Sequence, residues 1–227
     1  DRLVMVDAGT GELYGPNLNK LGASLKAVGY SPEQITDILI THIHTDHTGG
    51  LMDGDRMVFP NATLHIERKE VAYWFSEDQR AKATAAHQKY FAEAQAKVGP
   101  YKAAGRVKTF SGATQLFPGI RSEPAPGHTP GHSFYTLESQ GEKLVFWGDL
   151  LHVAEVQLPR PDITILFDVD PKAAADTRKR AFVQAVKEGY WVAGDHVSFP
   201  GVGHLQADGK GYRWIPMPYV NDFYRTR

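Results

Sequence analysis

Apolar residues recur along this chain in two rhythms. Val4 to Val6 is a short strand-like run leading into Asp7-Ala8-Gly9, and Ile38 to Ile40 is an apolar run that reads as a buried strand. Leu18 to Val28 has helical spacing and stops at Gly29, and Pro32 starts the turn before the second strand. Thr63 to Ile66 is strand-like, and Lys69 to Phe75 begins a helical region. The Ala-, Gln- and Lys-rich stretch Glu77 to Val98 predicts one long helix closed by Gly99-Pro100. Ser133 to Leu137 and Lys143 to Trp147 predict paired strands, Ala173 to Lys187 an amphipathic helix, and Tyr190 to Ala193 another strand. Ala207-Asp208-Gly209-Lys210-Gly211 predicts a hairpin turn. Strands and helices mixed without strict βαβ alternation favour sheets packed on each other with helices outside. No repeat or clear boundary divides the chain, so one domain over residues 1–227 is expected.

At 227 residues the chain can bury a sizeable core. With 25 basic and 26 acidic residues its formal net charge is -1, so it carries no electrostatic footprint for nucleic acid. No apolar run approaches the length of a membrane span. The absence of cysteine excludes disulfides and thiolate ligands and leaves His and Asp as the main metal ligands. The chain opens directly in strand-like sequence, which suggests that it starts inside the domain, downstream of further strands.

The densest chemistry is Thr41-His42-Ile43-His44-Thr45-Asp46-His47-Thr48-Gly49-Gly50. Three imidazoles and a carboxylate within six residues, at the end of an apolar strand, point to a metal site. Side chains alternate along a strand, so His42 and His44 leave its end on the same side. The Gly-Gly pair lets the backbone pass close by. Pro126-Gly127-His128-Thr129-Pro130-Gly131-His132 is a tight loop presenting His128, a type of loop that also occurs for structural reasons alone. Leu144 to Trp147 ends in Gly148-Asp149, where an Asp is often a turn former. Tyr190 to Ala193 ends in Gly194-Asp195-His196. His42, His44, Asp46, His47, His128, Asp149 and His196 exceed the needs of one tetrahedral ion but serve two divalent ions, if one carboxylate bridges them. Imidazole suits zinc, copper, iron and nickel, while the carboxylate suits hard or borderline divalent ions; zinc is the ion expected.

The order of these motifs, with Asp7 in Val-Asp-Ala-Gly, resembles the metallo-β-lactamase superfamily across the chain. Pro126 to His132, Gly148 to Ala154, Phe167-Asp168-Val169-Asp170 and Ser198 to His204 are similar more narrowly to the methyl parathion hydrolase group and its lactonase and aryl esterase relatives. The resemblance implies an α+β fold, an αββα sandwich of two mixed sheets flanked by helices. It implies that His42, His44 and His128 hold one ion and Asp46, His47 and His196 the other, with Asp149 bridging. Asp46 and Asp149 are then the catalytic carboxylates, and Asp7 supports the metal loop without being a ligand. The family's strand-end pattern favours His196 over His204 as the last ligand. His132 is expected beside the loop, and His65 and His87 in ordinary structural contexts. Trp74, Phe91, His152 and Ile165 are the expected substrate-pocket residues, although core packing is the ordinary reading of the two aromatics.

The activity implied is hydrolysis of lactones, aryl esters and organophosphate triesters by a metal-bridging hydroxide, on a small-molecule ester substrate. A glutathione-thioester hydrolase, an iron-dependent oxygenase of the same superfamily and a non-catalytic metal-binding module are the alternatives. The sequence is compatible with a homodimer. The resemblance implies a periplasmic or secreted location.

Overall fold

The computed structural model describes residues 2–219. The chain forms two compact units, one built from the residues up to Thr114 plus Thr129–Ser133, the other from Gln115–His128 and the residues from Phe134 on. In chain order the first contains β1 (Val4–Val6), α1 (Leu21–Ala27), β2 (Asp37–Leu39), α2 (Thr45–Thr48), β3 (Met52–Asp53), β4 (Arg56–Met57), β5 (Thr63–Glu67), α3 (Arg68–Trp74), α4 (Glu77–Lys82), α5 (Ala85–Ala103) and β6 (Val107–Phe110). The strands that follow are β7 (Thr114–Phe117), β8 (Ile120–Pro124), β9 (Ser133–Ser139) and β10 (Glu142–Phe146). After them come α6 (Ala154–Gln157), α7 (Pro171–Glu188), β11 (Trp191–Ala193), β12 (Val202–Asp208) and β13 (Gly211–Pro216).

In the first unit the sheet order is β1-β2-β5-β6 and every pair is parallel. Parallel neighbours need a crossover between them, and α1 and the α3–α5 run supply two of these. The expectation of two mixed sheets is therefore corrected for this one. Ile38, Ile40, Leu64 and Ile66 are buried in a core completed by Trp74, Phe91, Val98 and Tyr101. The Asp37 carboxylate lies beside His65 Nε2 at 2.8 Å, so both are satisfied inside the sheet.

The second unit's sheet runs β13-β12-β11-β10-β9-β8-β7 and is mixed, since β10 and β11 are parallel while β9–β10, β11–β12 and β12–β13 are antiparallel. The expected strand pair at Ser133 to Trp147 is the β9–β10 hairpin, turned by Gln140 and Gly141 at φ 52 and 83. The expected hairpin at Ala207 to Gly211 joins β12 to β13. Helix α7 buries Ala174, Ala175, Arg178, Ala181, Phe182 and Ala185, a spacing that puts them on one face. Its N-terminus is capped by Asp170, which accepts from Ala173 N–H at 3.0 Å, and its C-terminus closes on Gly189 at φ 66.

Two helix expectations are corrected. Glu77 to Val98 is not one helix: Ala83 is extended and Thr84 caps a new start, accepting from His87 N–H at 3.4 Å. Gly99-Pro100 does not close it either, because α5 runs through Pro100 to Ala103. A proline there removes one helix donor, while the next residue anchors the turn. Tyr101 Oη donates to the Leu51 carbonyl at 3.1 Å and accepts from Phe59 N–H at 3.1 Å. The Leu18 to Val28 helix shortens to Leu21–Ala27, with no side-chain N-cap and no buried residue to hold more. Among the described residues, no helix is long and apolar enough to cross a membrane.

Candidate metal centre

In the first unit the candidate ligands follow β2. Asp7, after β1, holds the left-handed conformation at φ 55, which costs a non-glycine residue on the order of 1–3 kcal/mol. Three hydrogen bonds offset it. Asp7 Oδ1 accepts from Thr41 N–H at 2.8 Å, and Oδ2 accepts from the Thr41 hydroxyl and from His47 Nδ1, each at 2.7 Å. His47 therefore keeps its proton on Nδ1, leaving Nε2 unprotonated. The Thr41 hydroxyl, having given its hydrogen to Asp7, can only accept from His42 Nδ1 at 3.1 Å, so the His42 Nε2 is unprotonated as well. That Nε2 lies 3.1 Å from His44 Nδ1, and the His42 and His47 rings are 4.1 Å apart. Asp46 Oδ2 is 3.6 Å from His47 Nε2, with 27% of its side chain exposed.

The Gly49-Gly50 pair does what the sequence suggested. A Cβ at Gly49 or Gly50 would run into the main-chain oxygen of Thr10 or Ala8. That close approach allows Ala8 N–H to bond the His47 carbonyl at 2.7 Å and Gly50 N–H to bond the Gly9 carbonyl at 3.0 Å. Behind the loop lies Glu70 of α3, fully buried. Its Oε1 accepts from Ile43 N–H at 2.8 Å and Trp74 Nε1 at 2.7 Å, and its Oε2 accepts from the Thr129 hydroxyl and Gly131 N–H, each at 2.8 Å. Burial pushes the Glu70 carboxyl up, against four donors that pull it down. The residue between His42 and His44 is thus tied to the 129–131 segment.

The second unit builds its candidate set around Asp149. β10 and β11 are parallel neighbours, so Asp149 and His196 leave the same edge of the sheet. Asp149 departs from helical geometry at φ -91 and ψ 40, inside the 3-10 turn Gly148–Leu150. His128 Nε2 is 3.3 Å and His152 Nε2 2.9 Å from Asp149 Oδ2, and His196 Nε2 is 3.1 Å from Oδ1. The Asp168 carboxylate lies 2.9 Å from His128 Nδ1, which turns the Nε2 of His128 toward Asp149. Burial disfavours the charged form of His128, but Asp149 and Asp168 outweigh it and the His128 pKa is raised. Burial pushes the His152 pKa down, with Asp149 opposing. One carboxylate facing three imidazoles is a donor set that a divalent cation satisfies better than protons can. The unprotonated Nε2 atoms of His42 and His47 fit the same chemistry in the first unit.

His204 bonds the Tyr190 carbonyl at 3.1 Å through Nδ1 and packs on Trp191, so of the two rivals His196 is the one beside Asp149. The His132 ring is 5.2 Å from that of His42, and His87 lies near Tyr90. Trp74 and Phe91 are 1% and 0% exposed and belong to the first unit's core, so core packing is the role the geometry gives them. Trp74 backs His44, ring centroids 5.2 Å apart, and the half-exposed aromatic beside His44 is Tyr90, also at 5.2 Å. His152 is mostly buried against Asp149 rather than standing clear at a pocket mouth. Ile165 is half-buried and donates its N–H to Asp168 Oδ2 at 3.2 Å. Glu70 and Asp168 were not singled out as site residues from sequence. Asp168 stands inside a motif that carries the resemblance, whereas nothing around Glu70 marks it.

Residues 1–193 match the model of the metallo-beta-lactamase superfamily. The chain belongs to that superfamily and has its α+β fold. The solved structure of hydrolase AbOPH of the beta lactamase superfamily is similar at 37% identity and a TM-score of 0.91, covering 97% of this chain and 77% of that one. AidC, a dizinc quorum-quenching lactonase solved with a product, is similar at 28% identity and a TM-score of 0.89, with the same coverage. An N-acyl homoserine lactonase of Bacillus cereus is 30% identical over 122 residues, 53% of this chain and 40% of that protein. The matched part is thus less than half of that relative's length.

Proposed function

We propose that this protein is a metal-dependent hydrolase of lactones and aryl esters, with organophosphate triesters as a second substrate class. The observation that carries the reading is the convergence of His128 and His196 on Asp149, in a chain of this superfamily. The similarity to a dizinc lactonase supports zinc and a count of two ions. In this reading His42, His44 and His128 serve one ion, Asp46, His47 and His196 the other, and Asp149 both. Bound divalent ions would lower the pKa of a water molecule toward neutrality and polarise the substrate's carbonyl or phosphoryl oxygen.

The chain's own residues do the rest. Asp7 and Thr41 hold His47 and His42 with the proton on Nδ1, and Asp168 does the same for His128. In this reading Asp46, whose side chain reaches solvent, takes the proton from the attacking water and returns it to the leaving oxygen. Ile165, half-buried, and His152 at the Asp149 cluster are the side chains through which an apolar leaving group would be felt. The substrate is a small neutral ester, and a periplasmic or secreted location is proposed with it.

The test is a hydrolysis panel of lactones, aryl esters and phosphotriesters on protein of defined metal content, with elemental analysis of the same samples. Turnover of lactones or aryl esters that scales with the second equivalent of zinc is expected. Saturation at one ion per chain would sink the two-ion reading, and no turnover of any panel member would sink the hydrolase reading.

A further inference from the structure

We propose that Arg178, acting with Gln157, is a positioning residue for the Asp149 part of the metal centre. The inference rests on the metal-binding part of the function proposed above.

Arg178 lies in α7 and is 1% exposed. Its neighbours on that buried face are Ala174, Ala181, Phe182 and Ala185, and an apolar side chain there would satisfy the core. A buried guanidinium is costly unless every donor is used, so its partners tell what it is for. They are not close carboxylates: the nearest is Asp168 Oδ2, 4.0 Å from a terminal nitrogen. The guanidinium instead donates to three main-chain carbonyls. Nε reaches Leu150 O at 2.7 Å, and one terminal nitrogen reaches Pro161 O at 3.0 Å and Ile163 O at 2.8 Å.

Both segments so joined bear on the candidate ligands. Leu150 is the residue after Asp149. The stretch from Pro161 leads to Asp168, whose Oδ1 holds His128 Nδ1 at 2.9 Å. Gln157, equally buried, makes a second bridge between the same segments. Its Oε1 accepts from His152 N–H at 2.8 Å and Val153 N–H at 3.1 Å, and its Nε2 donates to Ile163 O at 3.0 Å. The Ile163 carbonyl therefore takes one hydrogen bond from each clamp residue. Two buried polar side chains fix the strand-end turn that carries Asp149 against the loop that orients His128. The 3.3 Å approach of His128 Nε2 to Asp149 Oδ2 follows from that fixture.

The experiment is zinc titration of metal-free protein against a competing chelator, with the melting temperature of the metal-free protein recorded in parallel. The variants are R178K, R178M, Q157L, D168N and the R178K/D168N pair. Residues that orient metal ligands typically change metal affinity by about 10–100-fold. R178K, which keeps the charge but loses the fork, and Q157L are each expected to weaken zinc by about 10-fold. In the D168N background R178K should add less than about 3-fold, because part of its route is already cut. If R178M does not fold, R178K and Q157L carry the test. Wild-type zinc constants in R178K and Q157L, with only the melting temperature lowered, would overturn the proposal. So would a full 10-fold effect of R178K in both backgrounds. Wild-type protein that binds no zinc would overturn this inference together with the metal-binding reading, whereas zinc-binding protein inactive on every ester would leave the clamp standing.

Discussion

Replacing Glu70 separates two ways of losing one buried carboxylate. Its oxygens accept four hydrogen bonds of 2.7–2.8 Å, from Ile43 N, Trp74 Nε1, the Thr129 hydroxyl and Gly131 N. In Glu70→Ala all four donors lose their acceptor, at about 1–3 kcal/mol for each that stays buried and unpaired. The Thr129 hydroxyl can rotate and water can reach part of the cavity, so a net loss of about 4–6 kcal/mol is expected. That is a large share of the roughly 5–15 kcal/mol that holds a domain folded. Glu70→Gln keeps an acceptor for Ile43 and Trp74, and its amide can donate to the Thr129 oxygen. Gly131 N–H then faces another donor, a single conflict worth about 1–3 kcal/mol, eased by no longer burying a charge. Urea denaturation of the metal-free variants measures both. E70A within about 1 kcal/mol of wild type, or E70Q costlier than E70A, would refute the reasoning from donor counts.

Three further outcomes follow from the same contacts. Asp7→Asn tolerates the left-handed backbone, but its amide cannot accept from Thr41 N–H, the Thr41 hydroxyl and His47 Nδ1 together; zinc affinity should fall about 10–100-fold in chelator competition, and an unchanged affinity would remove Asp7 from the site's support. Gly50→Ala drives a Cβ into the Ala8 carbonyl, whose neighbouring N–H is pinned to His47; thermal melting should show a loss of at least about 1–3 kcal/mol together with lower metal content, and a silent variant would show that this close approach of two loops can yield. Burial holds the His65 pKa below 6.5 despite Asp37, so the folded state gains its proton at a lower pH than the unfolded chain does. His65 thus leaves stability intact above pH 6.5 and subtracts from it as pH falls through the window below, and His65→Gln should flatten the difference between denaturation curves taken above and below that pH, an equal slope in both proteins being the contrary result.

The elements that came directly from sequence are those whose signal is local. β1, the β9–β10 pair, α7 and the β12–β13 hairpin lie within a residue or two of their expected bounds. The Glu77 to Val98 helix failed because composition alone favours helix throughout it. The break depends on Ser76 and Thr84 each capping a separate start, and on Tyr101 holding the far end to Leu51 and Phe59. β6, β7 and β8 escaped notice because they are short and largely polar, as in Val107-Lys108-Thr109-Phe110. Trp74 and Phe91 show the same limit on the side-chain level. An aromatic at helical spacing reads alike whether it faces a core or a pocket, and here the core took both.

The candidate ligands were legible because four of them crowd one turn and the others end apolar strands. Of their supports only Asp7 was, through the resemblance, and the separations of the others say why. Glu70 meets Ile43 at a distance of 27 residues and Gly131 at 61, Asp168 meets His128 at 40, and Arg178 meets Leu150 at 28. Glu70 and Arg178 are single charged residues in ordinary stretches and Asp168 one acid of a quoted motif, and the type of each gains meaning only when a distant main-chain group or ring nitrogen is seen to need it. The supports share one logic. A ligand imidazole is useful only if its second nitrogen is committed elsewhere, and here Asp7 takes it from His47, Thr41 from His42 and Asp168 from His128. The cost of burying those carboxylates is met by hydrogen bonds, from Thr41 and His47 to Asp7 and from Ile165 N–H and His128 to Asp168. A chain that kept all seven candidate ligands but lost these partners would therefore keep the motif while losing the tautomers that fit it to hold a metal ion.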